Sequence, residues 1–347
     1  MNKKILLLLI LISSILFTCG KKTNFDKPSK GPLDVIYVLS DEETWNELKP
    51  AIDTCFKKYG IMTPEFQPFF HVSWYSINKL TIFNQYRNLI VLANLNKKGL
   101  GKNLAEKLLP QDHLELAQQD SVNIFSIDDN FAKNQVFFLI AGKDVNKITE
   151  HVASRKGFIF AKFNKKYKER TKENIFDRRE QKNITRHLWN KYKWTFRVPK
   201  KFVTIKESPD SNFFWMGTML PYRWFSVTWK EGMHTRWMTL HGIMEQRQEL
   251  GKLYDGIKAD TTYVSHYYTK LNDFQALKMT GLWFSVKEAK GGPFSCFTFY
   301  DSHSHRTFML DMLIYEPSPD KVTDFYRQME IIANTFTTQY SKSIYKQ

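Results

Sequence analysis

Cysteine is scarce in this chain: three in 347 residues cannot build a disulfide framework. Two common hydrolase signatures are missing, since neither a G-x-S-x-G elbow nor an H-E-x-x-H pair occurs, which weakens an enzymatic reading without excluding it. Gly99-Leu100-Gly101-Lys102 imitates a phosphate loop. Asn96, however, stands where the first glycine is required and Asn103 where Ser or Thr is required, so no nucleotide is expected. No fixed-period repeat is present, which excludes a solenoid. The apolar run at residues 5–17 is too short to anchor as a transmembrane helix. Acidic side chains are in deficit, 35 against 51 Lys and Arg, for a net charge of +16. That balance bears on partners more than on fold.

What is present begins at the N-terminus. Lys3 and Lys4 precede the apolar run, as in the charged and hydrophobic regions of a secretory signal. The run ends in Leu16-Phe17-Thr18-Cys19-Gly20, which resembles a bacterial lipobox and predicts cleavage after residue 18 and a lipid on Cys19. The competing reading is an ordinary signal peptide with an incidental thiol at Cys19. Residues 19–32 hold four lysines, Pro28 and Pro32 among small polar residues, a composition that predicts a flexible tether.

Apolar periodicity divides the remainder. Residues 34–39 predict a strand, and Ser40 with Glu43 forms a capping-box spacing for a helix carrying Trp45, Leu48, Ile52 and Phe56 on one face. Further strands are expected at 69–75, 88–93, 121–127 and 135–142, with helices at 76–86 and 104–118. This alternation predicts an N-terminal α/β domain over residues 33–160. A long helical pattern opens at Asp144, with a break expected near Gly157, and continues as a basic helical connector over 161–193. Residues 194–340 then predict a C-terminal α+β domain. Its aromatic and β-branched runs at 194–198, 202–206, 213–219, 224–229, 281–287, 293–300 and 307–315 indicate an antiparallel sheet. Glu288-Ala289-Lys290-Gly291-Gly292 predicts a hairpin loop, 235–254 a helix, and 320–336 a closing amphipathic helix. The fold class expected is therefore α/β (α+β) in two parts.

The strand at 34–39, Phe83-Asn84-Gln85-Tyr86-Arg87-Asn88, Gly281-Leu282-Trp283, Gly291-Gly292-Pro293-Phe294 and Tyr315-Glu316-Pro317 together resemble the bacterial envelope lipoproteins grouped as domain of unknown function number 4837, over nearly the whole mature chain. That resemblance implies a lipid-bearing Cys19 and assigns no activity, cofactor or catalytic residue. At the level of fold, the second half resembles the α/β/α sandwich of the photosystem accessory protein PsbP.

Candidate chemistry is sparse. His303 and His305 could ligate a metal together, but the polar Asp301-Ser302-His303-Ser304-His305-Arg306 stretch reads more simply as a turn. His234 and His241 could share a helix face. Cys55 and Cys296 could pair in an oxidising envelope, but with Cys55 in the first helix and Cys296 in a strand of the second half they are expected as buried free thiols. Trp215, Trp224, Trp229, Trp237 and Trp283 either fill a core or line a ligand pocket. Charge is more informative. Loss of residues 1–18 leaves +14, and residues 162–206, with sixteen basic and four acidic side chains, hold +12 of it. Within this segment Arg178, Arg179, Lys182 and Arg186 are the candidate docking surface; a merely solvated basic face is the alternative. The expectation is an exported, lipid-anchored, periplasm-facing envelope protein that acts by binding or assembly, with no cofactor or metal. Its partners would be the membrane, through the N-terminal lipid, and anionic lipid or an acidic envelope protein, and no nucleic acid. An envelope hydrolase or small-ligand-binding enzyme with an unrecognised site is the alternative.

Overall fold

In the computed structural model of the chain, residues 27–176, 180–254, 256–317 and 319–339 are described. In chain order the elements are β1 (Val35–Ser40), α1 (Glu42–Phe56), a small hairpin of β2 (Gly60–Met62) and β3 (Phe66–Pro68), β4 (His71–Ser76), the short α2 (Leu80–Phe83) and β5 (Asn88–Asn94). There follow α3 (Leu100–Leu108), α4 (Gln111–Gln118), β6 (Ile124–Asp128), β7 (Val136–Gly142), α5 (Val145–Ile175) and α6 (Lys182–Tyr192). The remainder comprises β8 (Val203–Ser208), β9 (Phe213–Thr218), β10 (Tyr222–Glu231), α7 (Leu240–Leu253), β11 (Ile257–Leu271), β12 (Phe274–Ser285), β13 (Gly291–Asp301), β14 (Arg306–Tyr315) and α8 (Pro319–Ala333). The chain divides into two compact units. The first takes the described residues through Cys55 and His71–Phe163; the second takes Phe56–Phe70 and the described residues from Asn164 onward.

The first unit is built on a five-stranded sheet in the order β4-β1-β5-β7-β6, parallel except for β6 against β7. β5 and β7 are buried along their whole lengths, as continuous apolar runs in parallel sheets require. Tyr37, Leu39, Leu89, Val91, Phe137 and Leu139 pack on one face with residues of α2, α3 and α4. The alternate residues Ile36, Val38, Ile90, Phe138 and Ile140 are equally buried. By the strand period of two they serve the opposite face, where Phe138 meets Phe158 and Phe163 of α5.

Several local expectations change here. Residues 28–31, expected within the tether, are held by the first unit: Pro28 bridges Lys133, Lys30 bridges Tyr86, and Ser29 N donates to Lys133 O at 2.9 Å. Ser40 closes β1 and lies two residues before α1 begins at Glu42, and its hydroxyl accepts the Trp74 indole N–H at 2.9 Å. The helix expected at 104–118 is two helices. Pro110 lacks the amide that a continuous helix needs, and Leu109 before it is extended. The helix expected at 76–86 shrinks to a single 3₁₀ turn and α2. Gly157 does not break α5, which runs unbroken from Val145 to Ile175.

The second unit is an antiparallel seven-stranded sheet in the order β11-β12-β13-β14-β10-β9-β8. One face packs against α6, α8 and the segment 194–202 through Leu188, Trp194, Phe196, Phe202, Tyr326 and Ile332. The other packs against α7 through Ile243 and Leu250, which meet Trp215, Trp283 and Met309. Helices on both faces make an α/β/α sandwich, and the fold class is mixed α/β in two parts as expected. Residues 194–198 are not a strand, carrying only the isolated bridge Thr195 to Thr337. Trp215, Trp229, Trp237 and Trp283 are buried core, and Cys55 and Cys296 are buried free thiols. β11 and the first half of β12 were not expected from sequence. β11 is an edge strand whose side chains are mostly exposed, so no apolar alternation marks it.

A cationic, aromatic cleft in the second unit

On the α8 side of the seven-stranded sheet, β11 and β12 extend beyond the helix and leave a cleft of about 690 Å³, a size typical of small-molecule sites. Its other walls are α8, the α5 residues Asn164 and Lys168, and the hairpin side from Lys58 to Phe69. All of these belong to the second unit. The register explains part of the shape. Asp260 pairs with Leu282 and Ser265 with Thr280, so residues 261–264 bulge opposite Gly281 alone. A Cβ at Gly281 would stand 2.9 Å from Tyr263 O and 2.8 Å from a Phe294 ring carbon, a close approach that only glycine permits.

The cleft floor holds a buried ion pair. Lys278 donates to the Glu330 carboxylate, with side chains 10% and 17% exposed, beneath the rings of Tyr267, Phe297 and Tyr326. Burial works against the lysine charge. The Glu330 carboxylate and the flanking tyrosines outweigh it and hold the Lys278 pKa well above its ordinary value. Burial, with the Glu330 charge beside it, pushes the Tyr326 hydroxyl upward. Arg327 is fixed differently: its guanidinium lies 3.1 Å from the Tyr167 ring centroid and donates to Phe69 O and Asn164 Oδ1, each at 2.8 Å.

Nearer the mouth stand Lys58, Lys168 and Lys270, all exposed. Among the described residues none of the three pairs with an acid. Lys58 lies over the Tyr59 ring at 5.2 Å. From β11 the lining takes Tyr263, Ser265, Tyr267 and Thr269 at every second position, with Thr262, Val264 and Lys270 between or beyond them, and Thr280 beside them on β12. No His, Cys or Asp lines the cleft, and Glu330 is its only carboxylate among the described residues.

The residues singled out from sequence lie elsewhere. Cys19, Arg178 and Arg179 fall outside the described residues. Lys182 and Arg186 are one turn apart on α6, where Arg186 donates to Asn183 at 2.6 Å. Part of the charge of the basic segment is buried or neutralised among the described residues. Arg170 is buried, Lys162 pairs with Asp128 at 2.8 Å, Lys191 with Glu207 at 2.7 Å, and Arg197 with Glu180. His303 and His305 occupy the expected turn, closed by Asp301, which accepts from His303 N and Ser304 N. His234 Nε2 contacts Glu231 O at 2.9 Å and His241 Nε2 contacts Glu245 at 3.0 Å, so the two do not form a site. Among the described residues no three His, Cys, Asp or Glu side chains gather as metal ligands, and no helix is long and apolar enough to cross a membrane. At the imitation phosphate loop, Asp41 accepts from Gly101 N at 3.1 Å. A carboxylate already occupies the place of an anion at that helix start. Sequence reasoning missed the cleft because Lys278 and Glu330 are fifty-two residues apart. The ring and hydroxyl alternation of β11 was the one local signal.

Comparison with known proteins follows the same division. Residues 181–335 match a family described as a domain of unknown function (DUF4837), and residues 29–176 match a second, DUF8532. The resemblance expected over nearly the whole chain thus covers its second half, and residues 34–39 and 83–88 fall in the other match. No curated protein matches the chain. Among solved structures, the Ran-binding protein Mog1p of Saccharomyces cerevisiae is 13% identical over 44% of this chain and 92% of its own, with a TM-score of 0.29. LpqN of Mycobacterium tuberculosis, described as involved in cell envelope biogenesis, is 14% identical over 42% of this chain and 82% of its own, with a TM-score of 0.28. A Bacteroides thetaiotaomicron protein is 11% identical over 43% of this chain, with a TM-score of 0.26; this chain spans 46% of its length.

Proposed function

We propose, for a chain whose second half belongs to the family described as a domain of unknown function (DUF4837), an exported envelope protein that is lipid-anchored through Cys19 and acts by binding a small anionic ligand. The observation that carries the binding role is the cleft beside α8, where three lysines without acidic partners among the described residues face exposed rings over a neutralised Lys278–Glu330 floor. Concave sites with aromatic walls and a few convergent polar groups are the usual form of small-molecule sites. Unpaired cations at the mouth favour an anion and disfavour a cation. Hydrolysis is the weaker reading, because the cleft offers no His or Cys among the described residues and its carboxylate is tied to Lys278.

Export and anchoring are supported by the charged and apolar N-terminal segment and by Leu16 before Cys19. The body would face the periplasm. Arg178, Arg179, Lys182 and Arg186 would be available there to anionic lipid or an acidic envelope protein, and nucleic acid is no partner for such a location. The test is to purify the native protein from detergent-solubilised envelopes, denature it, and identify the released small molecules by mass spectrometry. A Lys168→Glu, Lys270→Glu variant should release less of an anionic compound than the wild type. Identical release from the two proteins, or none from either, would refute the binding role.

A further inference from the structure

We infer that the cleft of the second unit takes a short acidic saccharide, whose sugar rings lie on exposed aromatic faces while its carboxylates or phosphates meet the lysines at the mouth. This rests on the cleft being a binding site and specifies what it binds. Three features of the lining select among anions.

At every second position from 263 to 269 a ring and a hydroxyl succeed one another along β11, and the rings are open: Tyr263 is 40% exposed, Tyr267 49%, and Phe66 on the hairpin side 41%. Flat apolar faces suit the C–H faces of a pyranose. The side-chain hydroxyls of Ser265, Thr269 and Thr280 make no hydrogen bond within the protein among the described residues, and are free to serve a polyol as donors and acceptors. An acyl chain fits this wall poorly, because each hydroxyl between the rings would lose water without gaining a partner.

An extended peptide fits poorly as well. A strand added to β11 would need a regular backbone edge. The four-residue bulge at 261–264, with Thr262 N bound to Asp260 Oδ1 at 2.9 Å, interrupts the ladder where the cleft opens.

The third feature is charge. Lys278 is cancelled by Glu330 on the floor, so the positive charge left without an acidic partner among the described residues sits at the mouth on Lys58, Lys168 and Lys270. That arrangement suits a ligand with a neutral body and anionic substituents.

Binding of trigalacturonate, trehalose 6-phosphate, neutral galactotriose, inorganic phosphate and tetraglutamate to the full chain in detergent would be measured by calorimetry. At least one of the two acidic saccharides should bind about tenfold or more tightly than galactotriose and than inorganic phosphate, as expected when charge-assisted hydrogen bonds add to stacking. The two saccharides distinguish carboxylate from phosphate as the anion. Lys168→Gln with Lys270→Gln should lower the affinity for the acidic saccharide about tenfold and leave the weak galactotriose binding unchanged. Tyr267→Ala should weaken both. All of these side chains are exposed, and an unchanged melting temperature would confirm that the variants fold. Equal or tighter binding of tetraglutamate would overturn the inference, as would failure of both acidic saccharides to bind or indifference to the lysine substitutions. An anionic compound that still co-purifies with the native protein and is lost from the charge-reversed variant would, in those cases, leave the binding role standing and refute only the saccharide.

Discussion

Arg247 of α7 and Asp311 of β14 form an ion pair inside the sandwich, Nε to Oδ1 at 3.2 Å, with side chains 3% and 0% exposed. The guanidinium lies 3.5 Å from the Phe294 ring centroid, and its Nη2 has no hydrogen-bond partner among the described residues. Tyr254 donates to the other carboxylate oxygen at 3.3 Å. Burial raises the Asp311 pKa, and the arginine beside it offsets only part of that rise. A pair so deeply desolvated contributes little net stability, yet losing one member strands a charge. Asp311→Ala should therefore lower unfolding stability by about 3–5 kcal/mol in urea titration. Arg247→Met combined with Asp311→Leu should recover most of that loss.

Glu207 gathers His187, Lys191 and Tyr192 from α6 onto β8, with contacts of 3.0, 2.7 and 2.6 Å. Burial alone would raise its pKa, but these three donors outweigh burial and bring it down to about 2. A carboxylate depressed in the folded state stabilises above its unfolded pKa and loses that contribution as pH falls toward its folded value. The melting temperature of Glu207→Gln should lie below that of the wild type at pH 6, and the gap should close between about pH 4.5 and pH 2. A gap independent of pH would show that the contacts stabilise by packing instead.

Gly281→Ala should disturb the wall of the cleft. The added carbon meets the Tyr263 carbonyl at 2.9 Å and the Phe294 ring at 2.8 Å, and the backbone oxygen cannot swing aside as a flexible side chain could. A destabilisation of about 1–3 kcal/mol is expected from such overpacking, read by chemical denaturation. Amide exchange at residues 261–265 should rise with it.

Cys19 is expected to carry acyl chains. Metabolic labelling with an alkyne fatty acid should mark the wild type and not Cys19→Ser, and equal labelling of the two would refute the anchor. Protease added to intact cells should spare the protein if the body faces the periplasm.

Legibility from sequence followed burial. β5, β7, β13 and β14 are buried through most or all of their lengths, and their apolar runs announced them. α1 and α8 were equally plain, because Trp45, Leu48 and Ile52, and Val322, Met329 and Ile332, repeat at helical spacing and are buried. β11 escaped notice because an edge strand beside an open cleft, its side chains mostly exposed, has no buried face to impose alternation. The capping-box spacing misplaced the helix start, which falls at Glu42 after β1 runs through Ser40, whose hydroxyl accepts from Trp74 thirty-four residues away.

The candidate site illustrates the same division more sharply. The basic excess of residues 162–206 was visible as a count, but not that Arg170 is buried and that Lys162, Lys191 and Arg197 pair with Asp128, Glu207 and Glu180. Of that segment, Lys168 reaches the cleft, where Lys58 and Lys270 join it from distant parts of the chain.

By itself the sequence determined the two-part α/β class and the identity of the central strands and outer helices, because these depend on local periodicity and on how much apolar surface a segment must hide. Only the tertiary structure decided which charges are neutralised and which are left facing solvent. Neutralisation depends on distance in space: Lys278 meets Glu330, and Arg247 meets Asp311, across intervals of chain for which local spacing carries no information.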